Sequence, residues 1–101
     1  IKLDTGMTRL GTSWTQAVEF VQLVQRLPNL SIKSVYSHLA TADDPDPTIM
    51  RQQQQRYETA LKACGFDLSD PRPQFHLANS AATLTDTNLH YDLVRTGLVT
   101  Y

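Results

Sequence analysis

Tyr91-Asp92-Leu93-Val94-Arg95-Thr96-Gly97-Leu98 reads as a short apolar strand, 91–94, that ends in a guanidinium and then a glycine. An arginine is rarely fully buried unless it is paired, so Arg95 at a strand end needs an acceptor. Glycine lets the backbone approach a ligand closely, where its bare N–H can donate. A guanidinium and a free N–H two residues apart suit a planar, phosphorylated ligand. A surface ion pair followed by a turn glycine would produce the same eight residues. What separates the two readings is whether other strands of the chain end in a similar way.

They do. Residues 1–5 alternate and are punctuated by Gly6, which predicts a short strand running into a loop closed by Gly11. Ser13-Trp14-Thr15-Gln16 has the spacing of a capping box. Trp14, Ala17, Val18, Val21, Val24 and Leu27 then recur at three and four, one face of a helix that Pro28 cannot continue. Residues 31–39 are rich in Ile, Val and Tyr and predict the second strand. The loop 40–47 holds Asp43, Asp44 and Asp46, with Asp46 placed as N-cap and Pro47 as first helical residue. These carboxylates complement a helix dipole and need no metal. Met50, Tyr57, Leu61 and Cys64 form the inward stripe of the next helix, with Gly65 as its C-terminal stop; the glutamines at 52–55 are ordinary helix formers. Pro71 and Pro73 mark a loop, 75–79 a third strand, 80–84 the start of a short helix and 98–101 the start of another element.

The order is β-α-β-α-β-α-β, which predicts an α/β fold with a parallel sheet. The last crossover, 80–90, is near the minimum of about a dozen residues. Polar residues stand at matching strand ends: Asp4 and Thr5, His38, Asn79 and Ser80, Arg95. In α/β folds, sites lie at the C-terminal ends of the strands.

Composition bounds the partners. The chain has 101 residues, 41% hydrophobic, and a formal net charge of -1. This is a globular composition without the basic cluster of a nucleic-acid footprint. No apolar run approaches the roughly 20 residues of a membrane span, and no signal peptide is visible. The single Cys64 excludes an intrachain disulfide and fits a reducing compartment. The first residue is not Met and the last lies within a strand-like run, so the chain is expected to be a piece of a longer protein. In that case the strands 1–5 and 91–94 are open edges, and Leu3, Val35, Leu77 and Leu93 are expected to be bared.

Four motifs carry a resemblance. Lys2-Leu3-Asp4-Thr5-Gly6-Met7-Thr8-Arg9-Leu10-Gly11, Ser37-His38-Leu39-Ala40-Thr41-Ala42-Asp43, His76-Leu77-Ala78-Asn79-Ser80-Ala81-Ala82 and Val94-Arg95-Thr96-Gly97-Leu98 span nearly the whole chain. In this order and at these intervals they resemble segments of bacterial alanine racemases, which are fold type III pyridoxal-phosphate enzymes. The resemblance implies about half of an N-terminal (β/α)8 TIM barrel. It implies a cytoplasmic homodimer that interconverts L- and D-alanine for peptidoglycan synthesis. The family usually has proline after the arginine; Thr96 stands there and changes backbone stiffness.

The resemblance also assigns roles. Arg95 would hydrogen-bond the pyridine nitrogen of pyridoxal 5'-phosphate. Arginine only donates and stays protonated, so that nitrogen stays unprotonated and the ring is a weaker electron sink. His38 would sit beside Arg95 and help position the catalytic base. The Ser80 hydroxyl and the amides of Gly97 and Leu98 would hold the phosphate, with the helix start at Ser80 contributing. Asn79 would line the cofactor site. Arg9 would contact the cofactor's phenolic oxygen and the substrate carboxylate through its planar fork, and Lys2 would be a lysine that some members carbamylate. Each residue also has an ordinary structural use: a satisfied core histidine for His38, a strand-end cap for Asn79, solvated cations for Arg9 and Lys2. His76 and His90 receive no role.

Two groups that racemization requires are missing. The lysine that holds the cofactor covalently lies on the family's first barrel strand, and none of Lys2, Lys33 and Lys62 is at a strand's C-terminal end. The opposing tyrosine base comes from the partner subunit, so the segment alone is expected to be inactive. Serine racemase of the same family and a non-catalytic pyridoxal-phosphate-binding barrel protein are the near alternatives. A metal-dependent hydrolase using His38, His76 and Asp43 is a third, though these residues lack a tight ligand spacing.

Overall fold

The computed structural model describes residues 1–66 and 72–101. β1 (Leu3–Asp4) leads through a loop to β2 (Thr12–Ser13), a 3-10 turn (Trp14–Gln16) and α1 (Ala17–Gln25). β3 (Ser34–Tyr36) precedes α2 (Thr48–Ala63), and β4 (Gln74–His76) precedes α3 (Ser80–Thr85). Short 3-10 turns follow at Thr87–Leu89 and Leu98–Thr100. β3 and β4 pair in parallel with Val35 opposite Phe75. Parallel bridges from Lys2 to Tyr36 and from His76 to Leu93 extend that ladder on both sides. β1, β3, β4 and the Leu93 bridge thus run parallel and in sequence order, as the alternation of elements predicts.

Several local expectations shift. The strand expected at 91–94 is reduced to the bridge at Leu93. Tyr91 has φ 48°, a left-handed conformation that no strand residue adopts. The Asp92 carboxylate then takes the Phe75 N–H at 2.7 Å, so a side chain stands in for part of the backbone ladder. The strand expected over 31–39 is only three residues long. α1 is entered through the 3-10 turn, and Ser13 Oγ accepts from the Thr15 N–H at 3.4 Å, one residue earlier than a capping box requires. α2 begins at Thr48, one residue later than expected, but Asp46 still serves its start by accepting from the Thr48 N–H at 3.0 Å and the Thr48 hydroxyl at 2.6 Å. Pro71 lies outside the described residues.

β2 was not expected. It pairs with β1 in parallel, and the Thr12 N–H donates to the Lys2 carbonyl at 3.0 Å. β1 is therefore covered on this side and is not the open edge that the sequence suggested. The tight return depends on Gly11, whose φ is +110° and whose added Cβ would lie 2.8 Å from the Lys2 carbonyl oxygen. Gly11→Ala is expected to destabilise the full-length protein by about 2–4 kcal/mol, through backbone strain plus an overlap with backbone that cannot move aside. Gly65→Ala, at φ +77° with open space around it, is expected to cost only about 1 kcal/mol. Urea denaturation of the two variants side by side checks the difference.

The sheet has two unlike faces. Leu3, Val35, Phe75 and Leu77 are buried in one cluster with Ala17 of α1 and Tyr57, Ala60 and Leu61 of α2. Tyr57 donates its hydroxyl to the Val35 carbonyl at 2.6 Å. This corrects the expectation that Leu3, Val35 and Leu77 would be bared: they face the helices, so they keep their cover in this segment. Because side chains alternate along a strand, the intervening residues take the other face. Lys2, Asp4, Tyr36 and His38 stand there, with His76 of β4 beside Tyr36.

Candidate functional site

On that second face Tyr36 and His76 stack, with ring centroids 4.7 Å apart and planes 10° from parallel. Arg95 lies over the Tyr36 ring, with Cζ 5.1 Å from the centroid. Its backbone N–H donates to Ala78 O at 3.1 Å, which draws the segment after Leu93 along the end of β4. Its guanidinium donates from Nη2 to the carbonyls of Ser37 at 2.8 Å and Leu77 at 3.3 Å, and from Nη1 to His76 Nδ1 at 2.5 Å. An arginine carries five N–H groups. Three are spent on the protein, and the other two have no partner among the described residues. The acceptor that the sequence demanded for Arg95 is therefore a set of strand-end carbonyls and an imidazole, not a surface carboxylate.

Arginine can only donate, so His76 Nδ1 is the unprotonated nitrogen and its proton sits on Nε2. Burial, then the charge of Arg95, depresses the His76 pKa from 6.5 to about 4. His38 is also lowered, by burial first and then by the positive charges of Arg95, Arg9 and Lys2. Both imidazoles bind protons more weakly in the folded than in the unfolded chain. Stability is thus fully present above pH 6.5 and is lost as the pH falls from there toward about 4. His76→Gln keeps an acceptor for Arg95 but cannot titrate. It is expected to flatten the lower part of the pH dependence of the melting temperature, measured on the full-length protein from about pH 4 to neutral.

A cleft of about 370 Å³ opens at the C-terminal ends of the strands, lined by His38, Asn79, Ser80, Arg95, Gly97 and Leu98 among others. Its size is in the range of small-molecule sites. Six of the residues singled out from the sequence thus meet in one place. Ser80 Oγ accepts from the Gly97 N–H at 3.0 Å and the Val99 N–H at 3.2 Å, so two backbone donors converge beside a hydroxyl. Asn79 caps α3 by accepting from the Ala82 N–H at 3.1 Å, and its amide donates to Leu39 O at 3.4 Å. It joins two strand ends as well as lining the cleft. A larger hollow of about 470 Å³ lies at the opposite ends of the strands, beside Ile32, Phe66 and Pro73, and holds none of the residues singled out.

Arg9 and Lys2 do not line the cleft. Arg9 is exposed on the loop after β1, which Asp4 shapes by accepting from the N–H groups of Gly6 and Thr8, both at 3.0 Å. Among the described residues no ion pair joins Arg9 or Lys2 to a carboxylate. Their charges nonetheless act on His38. Asp43 borders the cleft, but among the described residues no three His, Cys, Asp or Glu side chains come close enough to share a metal ion. No helix among the described residues is long and apolar enough to cross a membrane.

Two residues to which the sequence assigns no site role hold the cleft's residues from behind without lining the cleft. His76, given no role, is the partner of Arg95. Strand alternation against Phe75 and Leu77 already placed it on the face of Tyr36 and His38. Gln53, taken as an ordinary helix former, is 1% exposed and bonded to the ends of β1 and β3. Its position on the Met50-Tyr57-Leu61 stripe was the available signal.

The family model "Alanine racemase, N-terminal domain" matches residues 1–101. An alanine racemase of a Nostoc species is 64% identical over 104 residues, covering 100% of this chain and 26% of that protein. One from a Synechocystis species is 57% identical over 101 residues, covering 100% of this chain and 27% of that protein. Among solved structures, the alanine racemase of Streptomyces lavendulae superposes with a TM-score of 0.86 at 36% identity, over 100% of this chain and 27% of that one. The Bacillus anthracis alanine racemase with bound L-Ala-P gives 0.83 at 31% identity, over 100% of this chain and 26% of that one. The chain spans about a quarter of the length of the curated relatives it matches. With the strand order, the strand-end cleft and these matches in agreement, the chain belongs to the alanine racemase family, within that family's N-terminal domain.

Proposed function

We propose that the full-length protein is a pyridoxal-phosphate-dependent alanine racemase, and that this segment holds the cofactor's ring nitrogen and phosphate. The observation that carries the reading is the meeting of Arg95, Ser80 and Gly97 in one cleft at the strand ends. The donor set fits the cofactor: two unspent guanidinium N–H groups at one side, a hydroxyl with converging amides at the other. When bound, pyridoxal phosphate supplies an electron-withdrawing ring that acidifies the hydrogen on the α-carbon of an amino acid.

The chain's own residues bind and orient. Arg95, locked by two carbonyls and His76, offers donors at a fixed position and no acceptor, so a ring nitrogen there accepts and is not protonated. The Ser80 hydroxyl and the amides of Gly97 and Leu98 would hold the phosphate. His38, kept neutral by burial and by three cations, accepts or passes a hydrogen bond without adding positive charge. Asn79 holds the two strand ends on which these groups stand. Arg9 is assigned to the substrate carboxylate and Lys2, carbamylated or not, to orienting it; their electrostatic reach to His38 supports placing both near the cleft's mouth. The most similar relatives compared are alanine racemases, which favours alanine over serine. We read the full-length protein as a cytoplasmic homodimer serving peptidoglycan synthesis, with the partner supplying the opposing base.

The test is a stereospecific assay of the purified full-length protein, with its visible absorption spectrum. Racemization of alanine exceeding that of serine, with a cofactor band, is expected. A cofactor band without racemization would identify a non-catalytic cofactor-binding protein, and neither signal would remove the reading.

A further inference from the structure

Gln53 projects from the middle of α2 into the closed side of the site. Its Oε1 accepts from the Ala40 N–H at 2.9 Å, and its Nε2 donates to the His38 carbonyl at 3.0 Å and to Thr5 Oγ1 at 3.1 Å. This amide orientation is the one that gives each neighbour a complementary partner. All its donors are spent. The backbone of His38 and Ala40, one residue either side of Leu39, is held by a single side chain. Thr5 Oγ1, having accepted from Gln53, is free to donate to Ser37 Oγ, 2.7 Å away. The Ser37 carbonyl in turn accepts from Arg95 Nη2 at 2.8 Å. Thr5, Ser37 and Gln53 are all 1% exposed or less. Gly6, at φ +151°, leaves room for this side chain: an added Cβ would lie 3.3 Å from Gln53 Cγ.

Resting on the racemase reading, we propose that Gln53 is a positioning residue for the reaction, fixing the strand end that carries His38 and, through the chain Gln53–Thr5–Ser37, the Ser37 carbonyl that receives the Arg95 guanidinium. A glutamine serving stability alone could be satisfied by any buried partners. This one binds the backbone of a cleft-lining histidine directly and reaches the guanidinium through two hydroxyl-bearing residues. Its loss leaves the cleft lined by the same side chains but lets their backbone drift. Displacements on the order of 1 Å at a catalytic group can cost about 10²-fold in rate.

The experiment uses the full-length protein with four variants: Gln53→Met, Thr5→Val, Thr5→Ser and the double variant Thr5→Val/Gln53→Met. Gln52→Met, at an exposed position on the same helix, is the control. Measurements are kcat and KM on folded protein, and the His38 ring resonance by histidine-selective NMR, assigned with His38→Gln. Gln53→Met is expected to lower kcat by about tenfold or more with KM changed by less than about threefold, and to displace the His38 resonance. Thr5→Val should lower kcat in the same sense and Thr5→Ser restore it. The double variant should be no worse than Gln53→Met, because the two residues act as one unit. Unchanged kcat, an undisturbed His38 resonance, or additive effects would overturn the proposal. If Gln53→Met does not fold, the Thr5→Val and Thr5→Ser pair decides by the same criteria. A parent protein without racemase activity would remove the functional reading, while the His38 resonance would still report whether Gln53 holds that strand end.

Discussion

Arg95→Glu in the full-length protein is expected to slow racemization by about 10²–10³-fold, the scale of losing one preorganised donor, while transamination as a side reaction rises. The cause is a reversal of hydrogen-bond polarity. Arg95 donates to everything around it: two carbonyls, the His76 Nδ1 and, on our reading, the cofactor nitrogen. A glutamate only accepts. It would hold a proton on the ring nitrogen and make the ring a stronger electron sink. A ring that withdraws electrons more strongly would favour the side reaction over proton return to the α-carbon. The exchange also takes a donor from the Ser37 and Leu77 carbonyls, for a stability loss of about 1–3 kcal/mol. The new carboxylate would draw His76 toward its protonated form. Racemization and transamination measured on the same preparation, with a melting curve, separate the effects. Equal loss of both reactions would mean that Arg95 only holds the structure.

Residues 1–101 produced alone are expected to self-associate and to show no racemization. β2 covers one side of β1, so the vulnerable edge is at Leu93, which is bonded to β4 on one side only by a bridge. Beyond it Leu98 is 84% exposed and Val99 and Tyr101 are exposed as well. An unpaired strand edge with apolar neighbours is a template for another chain. Covering about 200 Å² of such surface is worth about 5 kcal/mol, comparable to the whole stability of a small domain, about 5–15 kcal/mol. Size-exclusion chromatography with light scattering should find dimers or larger species. A monomer that melts cooperatively would show that this edge costs little. The helix-facing residues Leu3, Val35 and Leu77 are already buried, so association should not depend on them.

The sequence by itself determined the alternation of the main strands and helices, their parallel run and most of the residues that meet in the cleft. Those features are written in short-range signals. Periods of two and of three to four mark strands and helices, prolines and glycines stop them, and a parallel α/β order sends the strand ends to one side. That sufficed to bring together His38, Asn79, Ser80, Arg95 and Gly97, while Leu98 joined them through the family resemblance. The faces of the strands were misassigned because periodicity gives alternation but not which side the helices cover. Tyr91 in a left-handed conformation and the pairing of β2 with β1 were hidden for a similar reason, since neither leaves a pattern within a few residues. Only the tertiary structure decided who partners whom. Gln53 meets Thr5 across 48 positions and Arg95 meets Ser37 across 58. A polar side chain declares that it needs a partner once buried, but which backbone carbonyl or imidazole answers is set by the packing of α2 and the last segment against the sheet. That packing turned an ordinary helical glutamine and an unassigned histidine into the frame of the site.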